Sequence, residues 1–227
     1  MDSTGQLTMK PGTMGLREML IFDTPGTVLF QKANYPWLAR LRVRVQAGGG
    51  GAAGADADPG ECIVRTGGTG GGYSEALIEA AALGATETIV VGAGGAGGVG
   101  NQPGEDGGGS SFGAFATAFG GIGSGDIQTS GTSIDVTTGA LGPLGGAGDW
   151  AQGGGPSGAA IRLAGNRGVS GAGGDSFMGH GGREVTFQTS GSVSRGYGSG
   201  GSGGVSYGNP VNGGPGSRGI VIVELYG

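Results

Sequence analysis

The residues whose types and spacing come nearest to chemistry are Gly92, Gly94 and Gly97. They spell G-x-G-x-x-G directly after the apolar run Thr88-Ile89-Val90-Val91. When such a turn follows a strand and opens a helix, its backbone N–H groups and the helix dipole hold a dinucleotide pyrophosphate. No helix can open here. Gly98-Val99-Gly100-Asn101-Gln102-Pro103-Gly104 follows, and glycine and proline are the residues least compatible with a helix. The ribose contact needs an acidic residue about 20 positions on, where the chain carries Ala114 to Ala118. The cluster is therefore read as the point where a strand hands over to a glycine-built body.

Other chemistry-bearing residues are scattered. Arg40, Arg42 and Arg44 alternate with Leu41, Val43 and Val45, so three guanidiniums share one strand face. They could bind an anion, but an ordinary wet face, or one paired with acids, is the stronger expectation. Asp56, Asp58 and Glu61 put three carboxylates in one turn, without the ligand spacing of a calcium loop. Gly145-Gly146-Ala147-Gly148-Asp149 is near a calcium-binding nonapeptide repeat, but its aspartate comes one position early and nothing recurs in tandem. Cys62 is the sole cysteine and His180 the sole histidine, so neither a disulfide framework nor a nucleophile–base set is encoded. We expect no enzyme, no cofactor and no bound metal.

Composition narrows the class further. Of 227 residues 62 are glycine, and only Gly5, Gly12, Gly15 and Gly26 precede Ala47. Collagen needs glycine at every third position, whereas Gly48 to Gly51 are consecutive and Ile161 to Ala164 contain none. A disordered linker is disfavoured because apolar segments recur: Cys62-Ile63-Val64, Ser111 to Phe115, Ile134 to Val136, Ala160 to Leu163, Val185 to Phe187. A net charge of −5 with dispersed basic residues gives no nucleic-acid footprint. No apolar run reaches the roughly 18 residues of a membrane span, and the N-terminus does not read as a signal peptide.

The elements that must carry these residues are short strands. Met19–Phe22 and Thr27–Phe30 flank Asp23-Thr24-Pro25-Gly26, whose Pro–Gly pair predicts a hairpin turn. Leu38–Gln46 alternates cleanly, and Gly219–Tyr226 is nearly all apolar. The two are expected to pair, the latter centrally. Tyr73–Gly84 is compatible with one short helix, or with a strand that ends in a turn at Ala82–Gly84. The fold class is therefore mainly β with little helix. Glycine runs offer no side chains, but they permit backbones to lie side by side in an extended threefold helix of polyproline II type. We expect residues 48–218 to form packed polyglycine II helices, capped at one end by strands.

The order Pro25-Gly26-Thr27, Leu41 to Val45, Gly48 to Gly51, Gly70 to Ser74, Ala82 to Thr86, Val91 to Gly98, Ser110 to Gly113 and Gly219 to Glu224 resembles the glycine-rich domains of bacteriophage tail proteins. It is most similar to minor tail proteins of phages that infect actinobacteria and, more loosely, to polyglycine tail-fibre adhesins. The glycine-rich extracellular regions of some receptor kinases, such as anaplastic lymphoma kinase, look related in architecture. The likeness covers residues 25–227 and leaves 1–24 as an arm expected to dock on the virion.

What the resemblance implies is a structural protein of the virion, at the tail tip or on a fibre, made in the host cytoplasm without a signal peptide. Its implied partners are other tail proteins and a host-envelope glycan or lipid. A homo-oligomer is also implied, with a trimer as one option, as is the alternative of a purely architectural tail or capsid decoration protein. In the adhesins, end loops carry recognition, which here singles out Trp150, His180, Tyr197 and Tyr207 among glycines. Trp150, Tyr197 and Tyr207 fit either a binding role or a gap between glycine layers; Phe177 and Met178 are assigned to gaps.

Overall fold

The computed structural model describes residues 15–227. The docking arm expected over residues 1–24 falls outside that range as far as residue 14. The chain is mainly β. Among the described residues there is no α-helix, only 3-10 turns at Lys32–Asn34 and Ala80–Ala82. Its first strands are β1 (Leu16–Phe22), β2 (Gly26–Gln31), β3 (Arg40–Gln46), β4 (Ile63–Val64), β5 (Tyr73–Glu79) and β6 (Thr86–Val91). Shorter ones follow: β7 (Ser110–Phe112), β8 (Ala116–Ala118), β9 (Asp135–Thr137), β10 (Trp150–Gln152) and β11 (Ala160–Ala164). The last are β12 (Arg167–Val169), β13 (Gly179–His180), β14 (Arg195–Gly196), β15 (Val205–Ser206) and β16 (Ile220–Tyr226).

Two antiparallel sheets pack face to face. The larger has the order β1-β16-β3-β5-β10 and the smaller β2-β6-β7-β8. Alternation along β3 sends Leu41, Val43 and Val45 inward, where Val221, Val223 and Leu225 of β16 and Ala76 and Ile78 of β5 meet them. Phe30, Ile89, Val91, Phe112, Ala116 and Ala118 close this core from the smaller sheet. The pairing of β3 with β16 is as the sequence predicts, and β16 is central.

The hairpin expected from β1 and β2 does not form. β1 pairs with β16 and β2 with β6, so the Pro25–Gly26 turn carries the chain from one sheet to the other. An isolated two-stranded ribbon would leave the apolar side of each strand wet. Crossing between layers lets Phe22 and Phe30 both pack on the same core. Leu16–Phe22, within the expected arm, is thereby an edge strand of the large sheet. Tyr73–Gly84 resolves as strand β5 and a 3-10 turn, because β3 offers Tyr73–Glu79 a full antiparallel register. Val185–Phe187 forms no strand: Val185 is buried and Phe187 is 78% exposed.

Beyond the sandwich the body consists of glycine-rich segments in contact through their backbones. The N–H groups of Gly48, Gly51 and Gly54 donate to Gly108, Glu105 and Gln102. Those of Gly49, Ala52 and Ala55 donate to Ser217, Gly214 and Val211, and those of Ala47 and Gly50 to Gly72 and Thr69. Successive residues thus address different neighbours and return to the same one every third position. The carbonyls of Gly48 and Gly51 accept from Gly121 and Ser124, those of Gly49 and Ala52 from Gly95 and Gly98, and that of Gly50 from Gly201. Residues 47–55 are accordingly ringed by residues 92–99, 102–109, 119–125, 65–72, 198–204 and 211–219.

Residues 65–72 and 198–204, which pair with each other through Arg65, Gly68 and Gly71 donating to Gly204, Gly201 and Gly198, are enclosed in the same way. A Cβ on Gly68 would lie 2.2 Å from the Gly50 carbonyl oxygen, and one on Gly200 2.1 Å from that of Gly68. No side chain fits at that spacing, because backbone rather than a yielding side chain is in the way.

These contacts predict a sharp positional contrast. Gly68→Ala and Gly200→Ala should each destabilise the chain by about 2–3 kcal/mol through overpacking. Gly125→Ala, which meets only the Ile127 side chain at 3.5 Å, should be neutral or stabilising by about 0.5 kcal/mol. Urea unfolding of the three variants measures the difference.

Candidate surface-binding site

The solvent side of β3 carries the arginine row, and it is paired. Arg42 Nε donates to Glu75 Oε1 of β5 at 2.7 Å, and Arg44 donates to Glu224 Oε1 of β16 at 2.6 Å. Tyr73 and Tyr226 donate their hydroxyls to the remaining oxygens of Glu75 and Glu224, at 3.0 and 2.8 Å, and Arg40 lies over the Tyr226 ring. The Arg42 hydrogen bond holds the Glu75 carboxyl below the usual carboxylate range despite its partial burial. Burial, reinforced by Glu75, pushes the Tyr73 hydroxyl upward. This network fixes the side chains of the sheet face and leaves Arg42 and Arg44 engaged with carboxylates.

At the β10 edge of that face an aromatic cluster stands on the network. Trp150 lies opposite Glu75 across the β5–β10 ladder. Its ring meets buried Tyr73 at 5.4 Å and Phe177 at 5.2 Å, and Phe177 meets Tyr73 at 4.2 Å. Trp150 is 47% exposed and Phe177 50%. Phe177 sits in a tight turn closed by Ser176 donating to the Gly179 carbonyl. Phe177, expected to plug a gap between glycine layers, instead packs on the Tyr73 and Trp150 rings with its other side open to solvent.

The same turn leads to Tyr197, whose N–H donates to the Met178 carbonyl. The Tyr197 hydroxyl donates to Asp23 Oδ2 at 3.3 Å, and Arg218 pairs with the same oxygen at 2.6 Å while its guanidinium lies over the Tyr197 ring. Tyr197 and Arg218 border a cleft of about 550 Å³ with Gly94, Gly196, Gly216 and Ser217. Gly94 brings the G-x-G-x-x-G stretch to this wall. Its neighbours turn inward: Gly92 donates to Ser110 Oγ, Gly95 to the Gly49 carbonyl and Gly98 to the Ala52 carbonyl, so these amides hold the body together.

Of the four loop residues singled out by sequence, Trp150 and Tyr197 are therefore linked through the Phe177–Met178 turn. His180 lies across β13–β14 from Arg195; its side chain is 89% exposed, with Nδ1 3.7 Å from Asp175. Tyr207 is elsewhere and turned inward. It donates to the Thr186 carbonyl, accepts from the Gly168 N–H and packs on the small core of Cys62, Val64, Ala160, Val185 and Val205. Tyr73, Phe177, Asp23 and Arg218 were not selected by sequence. Asp23 and Arg218 stand 195 residues apart, and no spacing rule links them.

A family model described as a glycine-rich domain matches residues 27–226. No curated protein matches the chain.

Cys62 supplies a pH-dependent test of the packing. Burial pushes its thiol up to about 11, against the opposing pull of Arg162. A raised thiol pKa means that the stability gained by burying the neutral form is complete below the unfolded value, about 8.5. It is lost as pH rises through the folded value. We expect the native chain to resist thiol reagents at pH 8, to react on unfolding, and to lose stability above about pH 8.5; Cys62→Ala should flatten that loss.

Proposed function

The chain belongs to the glycine-rich domain family, and from its sequence resemblance we propose that it is a non-catalytic structural protein of a phage tail. In this reading its glycine segments adopt polyglycine II geometry and hold an aromatic surface against the host envelope. The three-residue return of the hydrogen bonds supports the geometry, since a helix with three residues per turn points successive amides in three directions. The tail assignment rests on the sequence resemblance. The partners on this reading are other tail proteins, a further copy or copies of the chain in a homo-oligomer, and a glycan or lipid of the envelope.

The observation that carries host contact is the Trp150–Tyr73–Phe177 cluster. Two half-exposed aromatic rings are held in fixed mutual orientation over a buried third one, itself tied down by Glu75 and Arg42. Rigid aromatic faces flanked by polar groups suit the apolar faces of sugar rings and headgroup–acyl boundaries, at low entropic cost.

A purely architectural role is the second reading, and the position of β1 at the edge of the described sheet favours it. In the described sheet β1 is terminal, so its backbone can take a strand from a neighbouring tail protein.

Sedimentation with cell walls isolated from actinobacteria, alongside vesicles of their lipids, separates the two. The native chain should pellet with one of these, and Trp150→Ala and Phe177→Ala should each weaken binding about tenfold with unchanged thermal melting. A chain that pellets with neither, yet assembles into tails, leaves the architectural role.

A further inference from the structure

Most described cations of this chain have partners. Arg42, Arg44, Arg162 and Arg218 reach carboxylates, Arg65 donates to the Gly54 and Gln128 carbonyls, and Arg17 lies over the Trp37 ring. Arg167, Arg183 and Arg195 are exceptions: all three are exposed, and among the described residues none of their guanidiniums has a hydrogen-bonding or ionic partner; Arg183 and Arg195 alone of the three share a cleft. Both line the same cleft, of about 570 Å³, with Gly181, Ser192 and Val193 between them. The cleft lies on a different set of residues from the Tyr197–Arg218 cleft and from the aromatic cluster.

Its floor is part of the glycine body. Gly182 donates to the Gly200 carbonyl, Ser202 donates to the Ser192 carbonyl, and the Ser192 N–H donates to Ser202 Oγ. Gly182 and Ser192, one on each side of the cleft, are thereby both anchored on residues 198–204. Asp175 accepts from the N–H of Gly181, a lining residue, at 2.7 Å and lies 3.7 Å from His180; Glu184, next to Arg183 in sequence, is exposed.

We infer that this groove binds an oxyanion-bearing polymer, gripped between the Arg183 and Arg195 guanidiniums. Two planar forks over a hydrogen-bonded backbone floor match the paired oxygens of phosphodiester or carboxylate groups. The net charge of −5 opposes general attraction of polyanions, so binding has to come from this local pair. The groove does not depend on the host-envelope reading, because its ligand is defined by charge and not by ring stacking.

Calorimetric titration of the full chain with polyphosphate, and separately with polygalacturonate, tests it and distinguishes phosphate from carboxylate as the group recognised. Arg183→Gln and Arg195→Gln should each weaken binding of the recognised polymer about tenfold, and the double variant should abolish it. Arg167→Gln, an exposed arginine outside the cleft, should bind as the native chain does. Trp150→Ala should leave these titrations unchanged even if it abolishes wall binding, so the two readings fail separately. Absence of binding to both polymers, or equal loss in Arg167→Gln and the double variant, overturns the inference.

Discussion

The structure depends on the approach of backbone to backbone without intervening side chains. At Gly68 or Gly200 the space a methyl would need is already filled by a carbonyl oxygen. Each N–H in residues 47–55 that returns every third position to the same neighbour does so because nothing holds the segments apart. Ordering such residues costs about 1–2 kcal/mol of conformational entropy each, and glycine loses more freedom than any other residue. Hydrophobic burial cannot offset that cost where there is no side chain. Dense, mutually satisfied hydrogen bonding among enclosed segments recovers part of it, each bond contributing about 0.5–1.5 kcal/mol net.

The apolar sandwich and the glycine body are continuous, and the first orders the second. β3 runs into residues 47–55, residues 65–72 run into β5, and residues 211–219 run into β16. The strand neighbours β3·β16 and β3·β5 persist as segment neighbours 47–55·211–219 and 47–55·65–72. The same continuity links β6·β7 to residues 92–99·102–109, and β7·β8 to residues 102–109·119–125. Gln46 marks one such join, donating from Nε2 to the carbonyls of Ala47, Gly71 and Gly72. A conventional core thus fixes the order in which featureless segments line up. Away from the sandwich, buried Arg65 and Arg162 do comparable work by donating to the carbonyls of Gly54, Gln128, Cys62, Thr129 and Ser133.

That close backbone packing explains where recognisable surface features occur. The aromatic cluster and the arginine groove both sit where strands or outer segments carry large side chains over packed, hydrogen-bonded neighbours. Neither needs the body to move, and neither could be built inside it.

The sequence alone determined the strands whose side chains carry a pattern: the alternation of Leu41, Val43 and Val45, the apolar run of β16, and their pairing. It also determined that the glycine at Gly92, Gly94 and Gly97 opens no helix. It failed at β1 and β2, where local turn chemistry suggested a hairpin and a shared core drew the strands into opposite sheets. It could not tell that Arg42 and Arg44 would meet Glu75 and Glu224, or that Trp150 would meet Phe177. Only the tertiary structure decided which glycine segments became neighbours. Side chains are what encode a partner in a sequence, and a glycine segment has none, so its place is fixed by the strands that lead into and out of it.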